Sequence, residues 1–363
     1  MMEMLEQICG METGDKDKIY TDLIESFQKG NIVLYGAGGI GYITSCILKE
    51  KACNIHCFVD DNKTKQGTYV NGIKVISLEE LGRDAGYGYI VLICIPNPMD
   101  VYHRLIRLGY KKVQYFPVMM WEKNFYNISL LKENRDKIDA VYEFLADSLS
   151  RSVFMNILKH RITMDFSILD NIISQKQYFP SDIFVLNDRE CFVDGGVYNG
   201  ETIADFVNSV DNKFDYIYGF EPDKQNFSNL TKSVAHMDCN RLKLFNAGLY
   251  SKAGEISFDS HGNSASAISD TGVDNISLVR LDDVVGEHKP TYIKLDIEGA
   301  EKEALYGMQN TIAENHPKLA ISIYHKAADL WELPLLIRTL PASYNIYIRH
   351  YSNGLHETVC YAI

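Results

Sequence analysis

The sequence predicts an α/β protein built from two Rossmann-like units, the second ending in an antiparallel hairpin. Three observations predict it. Short apolar runs alternate with helical periodicity through residues 31–117 and again through 191–363. Two of those runs lead directly into glycine-rich turns that open helices, Gly36-Ala37-Gly38-Gly39-Ile40-Gly41 and Asp194-Gly195-Gly196-Val197-Tyr198-Asn199-Gly200. The last two strand-like runs, 346–350 and 358–362, flank Ser352-Asn353-Gly354, a turn sequence suited to a hairpin.

Length and charge narrow the reading. A chain of 363 residues exceeds a typical single core, so two domains are expected. A formal charge of -12 disfavours a broad nucleic-acid surface. No basic segment precedes an apolar one at the start, and no apolar run reaches the ~18 residues of a membrane span. Cytoplasmic residence without a membrane span is the expectation. The eight cysteines include no C-x2-C pair and fall mostly in apolar runs, as reduced core thiols do.

In chain order, residues 1–29 predict short N-terminal helices, and 30–118 the first Rossmann-like domain. Asn31–Tyr35 forms a strand, Gly36, Gly38 and Gly41 the turn, and 42–50 a helix. A second strand, 55–59, ends at Asp60, where a ribose-binding acid would stand. A possible second nucleotide site is therefore Gly36, Gly38, Gly41 and Asp60; a solvated turn at 60–63 explains the acids equally well. Residues 119–180 carry helical periodicity and predict a helical connector.

The second domain, 181–363, predicts strands at 191–193, 216–220, 242–246, 292–295 and 319–324, with helices 201–210, 224–234 and 301–314 between them. Residues 248–281, rich in Gly, Ser and Asp, predict an irregular excursion or small hairpin. Asp329 and Glu332 predict a capping box before Pro334. Parallel sheets bind ligands beyond the carboxyl ends of their strands, which gathers Asp194, Glu221, Asn246, Asp296 and His325 on one edge. The acid precedes the glycines at 194–200, which favours a ligand with hydroxyl or cationic parts over a pyrophosphate. Glu221 suits ribose hydroxyls. His325 is the candidate base, assisted by Asp296, because imidazole exchanges protons near neutral pH. Lys294 invites pairing with a carboxylate. No compact metal motif is present and none is assigned; a divalent cation on Asp296, His325 and Asp282 or Glu298 is the weaker reading.

The motifs FVDGGVYNGET, YGFEPD, LFNAG, YIKLDIEGAE and SIYH, in that order, resemble the FkbM family of S-adenosylmethionine-dependent methyltransferases over about residues 180–363. The resemblance implies the class I methyltransferase fold and S-adenosyl-L-methionine as cofactor. Carried over by motif, Asp194, Gly195, Gly196, Tyr198, Asn199, Gly200, Glu201 and Thr202 would cradle its amino acid part and sulfonium. Glu221 and Pro222 would lie at the ribose, Asn246 would border the adenine, and Asp296 would stand at the methyl-transfer edge. Where the family pattern D-x-G-x-N-x-G has Asn, this chain has Tyr198, with Asn199 following. Residues 31–117 resemble the small Rossmann-like domains that accompany sugar-modifying enzymes.

The expected function is O-methylation of a hydroxyl on a saccharide, a nucleotide-linked sugar or another small natural product. Two alternatives stand beside it. One is a NAD-dependent oxidoreductase or epimerase using Gly36–Gly41, against which no catalytic pair follows that turn. The other is a nucleotide-binding or assembly protein without turnover.

Overall fold

The computed structural model describes residues 21, 24–83, 88–95, 98–115, 120, 123–163, 167–235, 237–259, 267–268 and 274–363. The expected N-terminal helical segment lies largely outside them. The chain forms two units. One holds the described residues up to Arg135, with Met155–Asn171 and Ser352–Leu355; the other holds Asp136–Phe154, Ile172–Tyr351 and His356–Ile363. Residues 119–180, read from sequence as a connector, are shared between the two units rather than forming a third.

In the first unit Ile32–Tyr35 (β1) is buried along its whole length, as an all-apolar run must be in a parallel sheet covered on both faces. Ile55–Val59 (β2), Tyr69–Val70 (β3), Ile73–Ile76 (β4), Ile90–Ile93 (β5) and Val113–Gln114 (β6) complete a sheet of order β3-β4-β2-β1-β5-β6. The β3–β4 hairpin is an addition to the sequence reading. Its turn residues Asn71 and Gly72 both have positive φ, 50° and 72°, the conformation that an Asn-Gly hairpin turn requires.

The second unit is organised around Cys191–Gly195 (β7), in which every residue is buried. Tyr216–Phe220 (β8) and Leu242–Phe245 (β9) follow. Gly248–Leu249 (β10), Gly254–Asp259 (β11), Ala267–Ile268 (β12) and Asp274–Val279 (β13) make a separate four-stranded sheet, more ordered than the expected excursion. Tyr292–Leu295 (β14), Lys318–Ser322 (β15), Ile346–His350 (β16) and Thr358–Ala362 (β17) return to the main sheet, whose order is β16-β17-β15-β14-β7-β8-β9. β17 is antiparallel to both neighbours, so the predicted terminal hairpin is present and reverses the sheet edge. This is the class I methyltransferase arrangement.

Aromatic packing holds β7 in place. The Phe192 ring stacks on Phe206 at 4.5 Å and on Tyr292 at 5.2 Å between centroids, and all three are fully buried. Two local expectations fail. The helix predicted over 301–314 is two helices, Glu301–Tyr306 and Gln309–Asn315, divided where the Gly307 carbonyl accepts the Asp282 N–H at 3.2 Å. The Asp329–Glu332 capping box does not form. Asp329 is the first residue of helix Asp329–Thr339 and accepts the Lys326 N–H at 2.8 Å, while Glu332 pairs with Lys137 and Lys302.

Candidate functional site

At the carboxyl edge of β7, β8 and β14 lies a cavity of about 910 Å³. Its floor is set by the turn after β7. Gly196 has φ +79°, and a Cβ there would stand 1.9 Å from the Asp296 carbonyl oxygen, so a side chain at this position would push β7 and β14 apart at their ends. Tyr198 takes the left-handed conformation at φ 56° and lines the cavity. Asn199 Oδ1 accepts the Glu201 N–H at 3.1 Å, starting helix Glu201–Ser209 behind Gly200. Asn199, Glu201 and Thr202 also face the cavity.

Asp194 does not. It is wholly buried, with Lys294 Nζ 3.0 Å from its Oδ1, because the β7–β14 register sets the two residues side by side. Lys294 Nζ also donates to the Gly195 and Gly196 carbonyls at 3.1 and 2.8 Å. Burial alone would lower the Lys294 pKa, but Asp194 and Asp296 outweigh it and hold the ammonium above its ordinary value. The carboxylate read from sequence as a sulfonium contact is thus the internal counterion of a lysine that braces the glycine turn.

Glu221, at the end of β8, does face the cavity. Its Oε2 accepts the Tyr198 N–H and its Oε1 the Asp223 N–H, both at 2.9 Å. Burial pushes its carboxyl up to about 7, partly offset by those two hydrogen bonds. The Asn226 side chain also donates to this carboxylate, so of its four lone-pair positions one remains for a hydroxyl donor. Beyond Pro222 the wall turns apolar, with Leu249, Ile276 and Leu278. Asn246 is not part of it. Its side chain is turned to the β8 end, donating to the Glu221 and Pro222 carbonyls at 2.9 and 3.0 Å, and so shapes the cavity indirectly.

Asp296, beyond the end of β14, also lines the cavity and is held by two tyrosines. Tyr178 donates to its Oδ2 and Tyr324 to its Oδ1, each at 2.9 Å. Burial would raise the Asp296 carboxyl, but Lys294, His325 and the Tyr324 hydroxyl keep it below the usual range. Tyr178 went unread in the sequence because it precedes the second sheet, in no strand end or motif. It enters the site through a left-handed backbone, φ 67°.

His325 sits behind Asp296 and does not line the cavity. Its Nδ1 is 2.9 Å from Glu301 Oε1, and its Nε2 is 3.4 Å from Asp296 Oδ1 and 3.7 Å from Glu298 Oε2. Burial would lower its pKa, but Glu301, then Glu298 and Asp296, push it up to about 10. Without another cation beside it, the ring is an imidazolium at neutral pH, with no lone pair for an acceptor proton, which argues against the expected base. Asp282 stands apart, binding Arg280 and the Thr311 N–H and hydroxyl.

In the first unit the Gly36–Gly41 turn is internally committed. Asp60 Oδ2 accepts the Ala37 N–H at 2.8 Å and pairs with Lys65 at 3.2 Å, and a Cβ on Gly41 would stand 2.0 Å from the Gly36 carbonyl oxygen. No Cβ clash constrains Gly38. The acid expected at a ribose thus holds its own loop.

Comparison with known proteins decides the frame. Residues 194–345 match the methyltransferase FkbM domain. The second unit has the fold of an FkbM-family methyltransferase. The chain is also similar to the crystal structure of methyltransferase FkbM from Methylobacillus flagellatus KT, with a TM-score of 0.71 and 22% identity over 92% of this chain and 90% of that one. A curated relative, hexuronic acid methyltransferase AglP of Haloferax volcanii, is 33% identical over 102 residues. That stretch is 26% of this chain and 42% of the relative, so the chain spans less than half of the relative's length. Residues 28–115 match the N-terminal domain of the C2185-like type, and the NAD-dependent alternative gains no support. Among the described residues no helix is long and apolar enough to cross a membrane.

The cavity fits S-adenosylmethionine. Its lining has the mixed character that such a ligand needs: the buried Glu221 carboxyl beside Pro222, the apolar side chains of Leu249, Ile276 and Leu278, and the turn at Gly196–Asn199.

Proposed function

We propose that this chain transfers a methyl group from S-adenosylmethionine to a hydroxyl of a saccharide or another small natural product. The observation that carries the reading is the cavity walled by Glu221, the Gly196 turn and Asp296 within the stretch that matches the FkbM domain. The bound cofactor supplies an electrophilic methyl group. The chain's own residues orient and exclude water: Glu221 anchors, the apolar wall desolvates, and Asp296, fixed by Tyr178 and Tyr324, offers a carboxylate beside the acceptor space. A saccharide acceptor is supported by the likeness to the hexuronic acid methyltransferase. Charge refines it. Glu201, Asp205, Glu221, Asp296, Glu298 and Glu357 face the cavity against Lys176 and Lys294, so a neutral polyhydroxyl acceptor suits it better than a free uronate.

Calorimetric titration with S-adenosylhomocysteine, NAD and nucleotide-linked sugars tests the donor, and mass spectrometry of neutral and uronic sugars incubated with S-adenosylmethionine tests the acceptor. S-adenosylhomocysteine binding that weakens in Glu221→Ala is expected, with methylation of a neutral sugar. NAD binding lost in Gly38→Ala, with no affinity for S-adenosylhomocysteine, would overturn the reading.

A further inference from the structure

We propose that Glu357 accepts the proton of the acceptor hydroxyl as the methyl group is transferred, an assignment that rests on the methyl-transfer reading. With His325 an imidazolium outside the cavity lining, the groups left to act as base are the carboxylates that line it. Glu201, Asp205 and Glu298 are exposed, so water competes with an acceptor for them. Glu221, Asp296 and Glu357 are sheltered. Glu221 is already taken by the Tyr198 and Asp223 N–H groups and the Asn226 side chain, where the methyl-transfer reading sets the cofactor. Asp296 receives two tyrosine hydroxyls and is held below the usual carboxyl range, so it binds a hydroxyl well and takes its proton poorly. Glu357 remains.

Its surroundings suit the role. Glu357 stands immediately before β17 in a left-handed conformation, φ 61°, a strained backbone for a residue with a side chain. The Tyr351 N–H donates to its carbonyl at 2.9 Å. The Gln177 side chain donates to Oε2, and among the described residues no donor reaches Oε1, which is left for the hydroxyl. Burial raises the Glu357 carboxyl above its ordinary value and the Asp296 charge adds to this, while Gln177, His325 and Lys294 pull it back. Tyr178 and Tyr324, which hold Asp296, also feel the Glu357 charge. Two neighbouring carboxyls pushed in opposite directions divide the work. Asp296 stays ionised and orients the acceptor, and Glu357, the more basic, takes the proton. The acceptor oxygen bonds to the methyl carbon as the carbon–sulfur bond breaks, the bonding pair stays on sulfur, and the hydroxyl proton passes to Glu357. The protonated carboxyl then releases it to water.

The test combines carbon-13 NMR of full-length chain labelled at the glutamate carboxyls with turnover of S-adenosylmethionine on a panel of neutral mono- and disaccharides. The signal missing from Glu357→Gln should titrate above the ordinary value of about 4.5. Glu357→Gln should lose at least about a hundredfold in kcat, with the sugar KM and the affinity for S-adenosylhomocysteine within about threefold of the parent, and Glu357→Asp should restore about a tenth of the parent kcat. Parent kcat/KM should rise with pH through the NMR midpoint and level off above it, because only the ionised carboxylate accepts a proton; in Glu357→Gln that rise should vanish. A titration at the ordinary value overturns the assignment, as does kcat within tenfold of the parent in Glu357→Gln, or an unchanged pH profile. A kcat loss matched by an equal loss of S-adenosylhomocysteine affinity marks a structural role and also overturns it, as does a parent that turns over none of the sugars. Failure of the parent to bind S-adenosylhomocysteine overturns instead the methyl-transfer reading beneath it.

Discussion

Lys294→Met should damage this protein far more than Asp194→Asn, although both remove one member of the same pair. Met keeps the length of the side chain but leaves Asp194 wholly buried without a counterion. Stranding a buried charge costs about 3–5 kcal/mol, and the Gly195 and Gly196 carbonyls lose their common donor as well. For a unit of this size about 4 kcal/mol corresponds to a melting shift of roughly 8–16 °C. Asp194→Asn leaves Lys294 with both carbonyls and the nearby charge of Asp296, so a cost of only about 1–2 kcal/mol is expected. The double variant should recover part of the Lys294→Met loss, because no unpaired charge remains. Thermal unfolding of the four proteins gives the stabilities, and titration with S-adenosylhomocysteine gives the affinities. Asp194→Asn is expected to bind within tenfold of the parent. A hundredfold loss of affinity with an unchanged melting temperature would refute the brace and restore Asp194 as a direct cofactor contact.

Three further outcomes follow from the same geometry. Glu221 has its folded pKa raised from 4.5 to about 7, so its ionisation costs nothing below pH 4.5, costs increasingly more up to pH 7, and thereafter costs about 3 kcal/mol. Glu221→Gln should therefore stabilise the free protein at pH 8 by about 2 kcal/mol, after loss of one backbone acceptor, and not at pH 4.5; melting curves that track the parent at both pH values would contradict this. Parent affinity for S-adenosylhomocysteine should rise as pH climbs through 7, and Glu221→Gln should flatten that dependence. Gly196→Ala would set its Cβ 1.9 Å from the Asp296 carbonyl oxygen in a left-handed conformation, and should abolish S-adenosylhomocysteine binding while lowering the melting temperature; parent-like binding would show that the turn tolerates displacement.

Much of the fold was legible because it is written in local chemistry. Apolar runs and turn residues located β2, β8, β14, β16 and β17 with their observed bounds, and Asn71-Gly72 carried an equally local hairpin signal. Helix interruption at Gly307 was less legible, since it depends on contact with Asp282, distant in sequence.

By itself the sequence determined the strand order of events along the chain, the glycine turn after β7, and Glu221 and Asp296 at strand ends beside the cavity. Each follows from alternation, turn geometry and the rule that parallel strands end on a common edge. Only the tertiary structure decided which polar side chains face that cavity. Asp194 and Lys294 are 100 positions apart, and the β7–β14 register alone makes them a buried pair. Tyr178 and Tyr324 reach Asp296 from either side of it in sequence, and His325, outside the cavity lining, stands between Glu301 and Asp296. A carboxylate's role depends on which charge stands beside it, and that neighbour is supplied by packing.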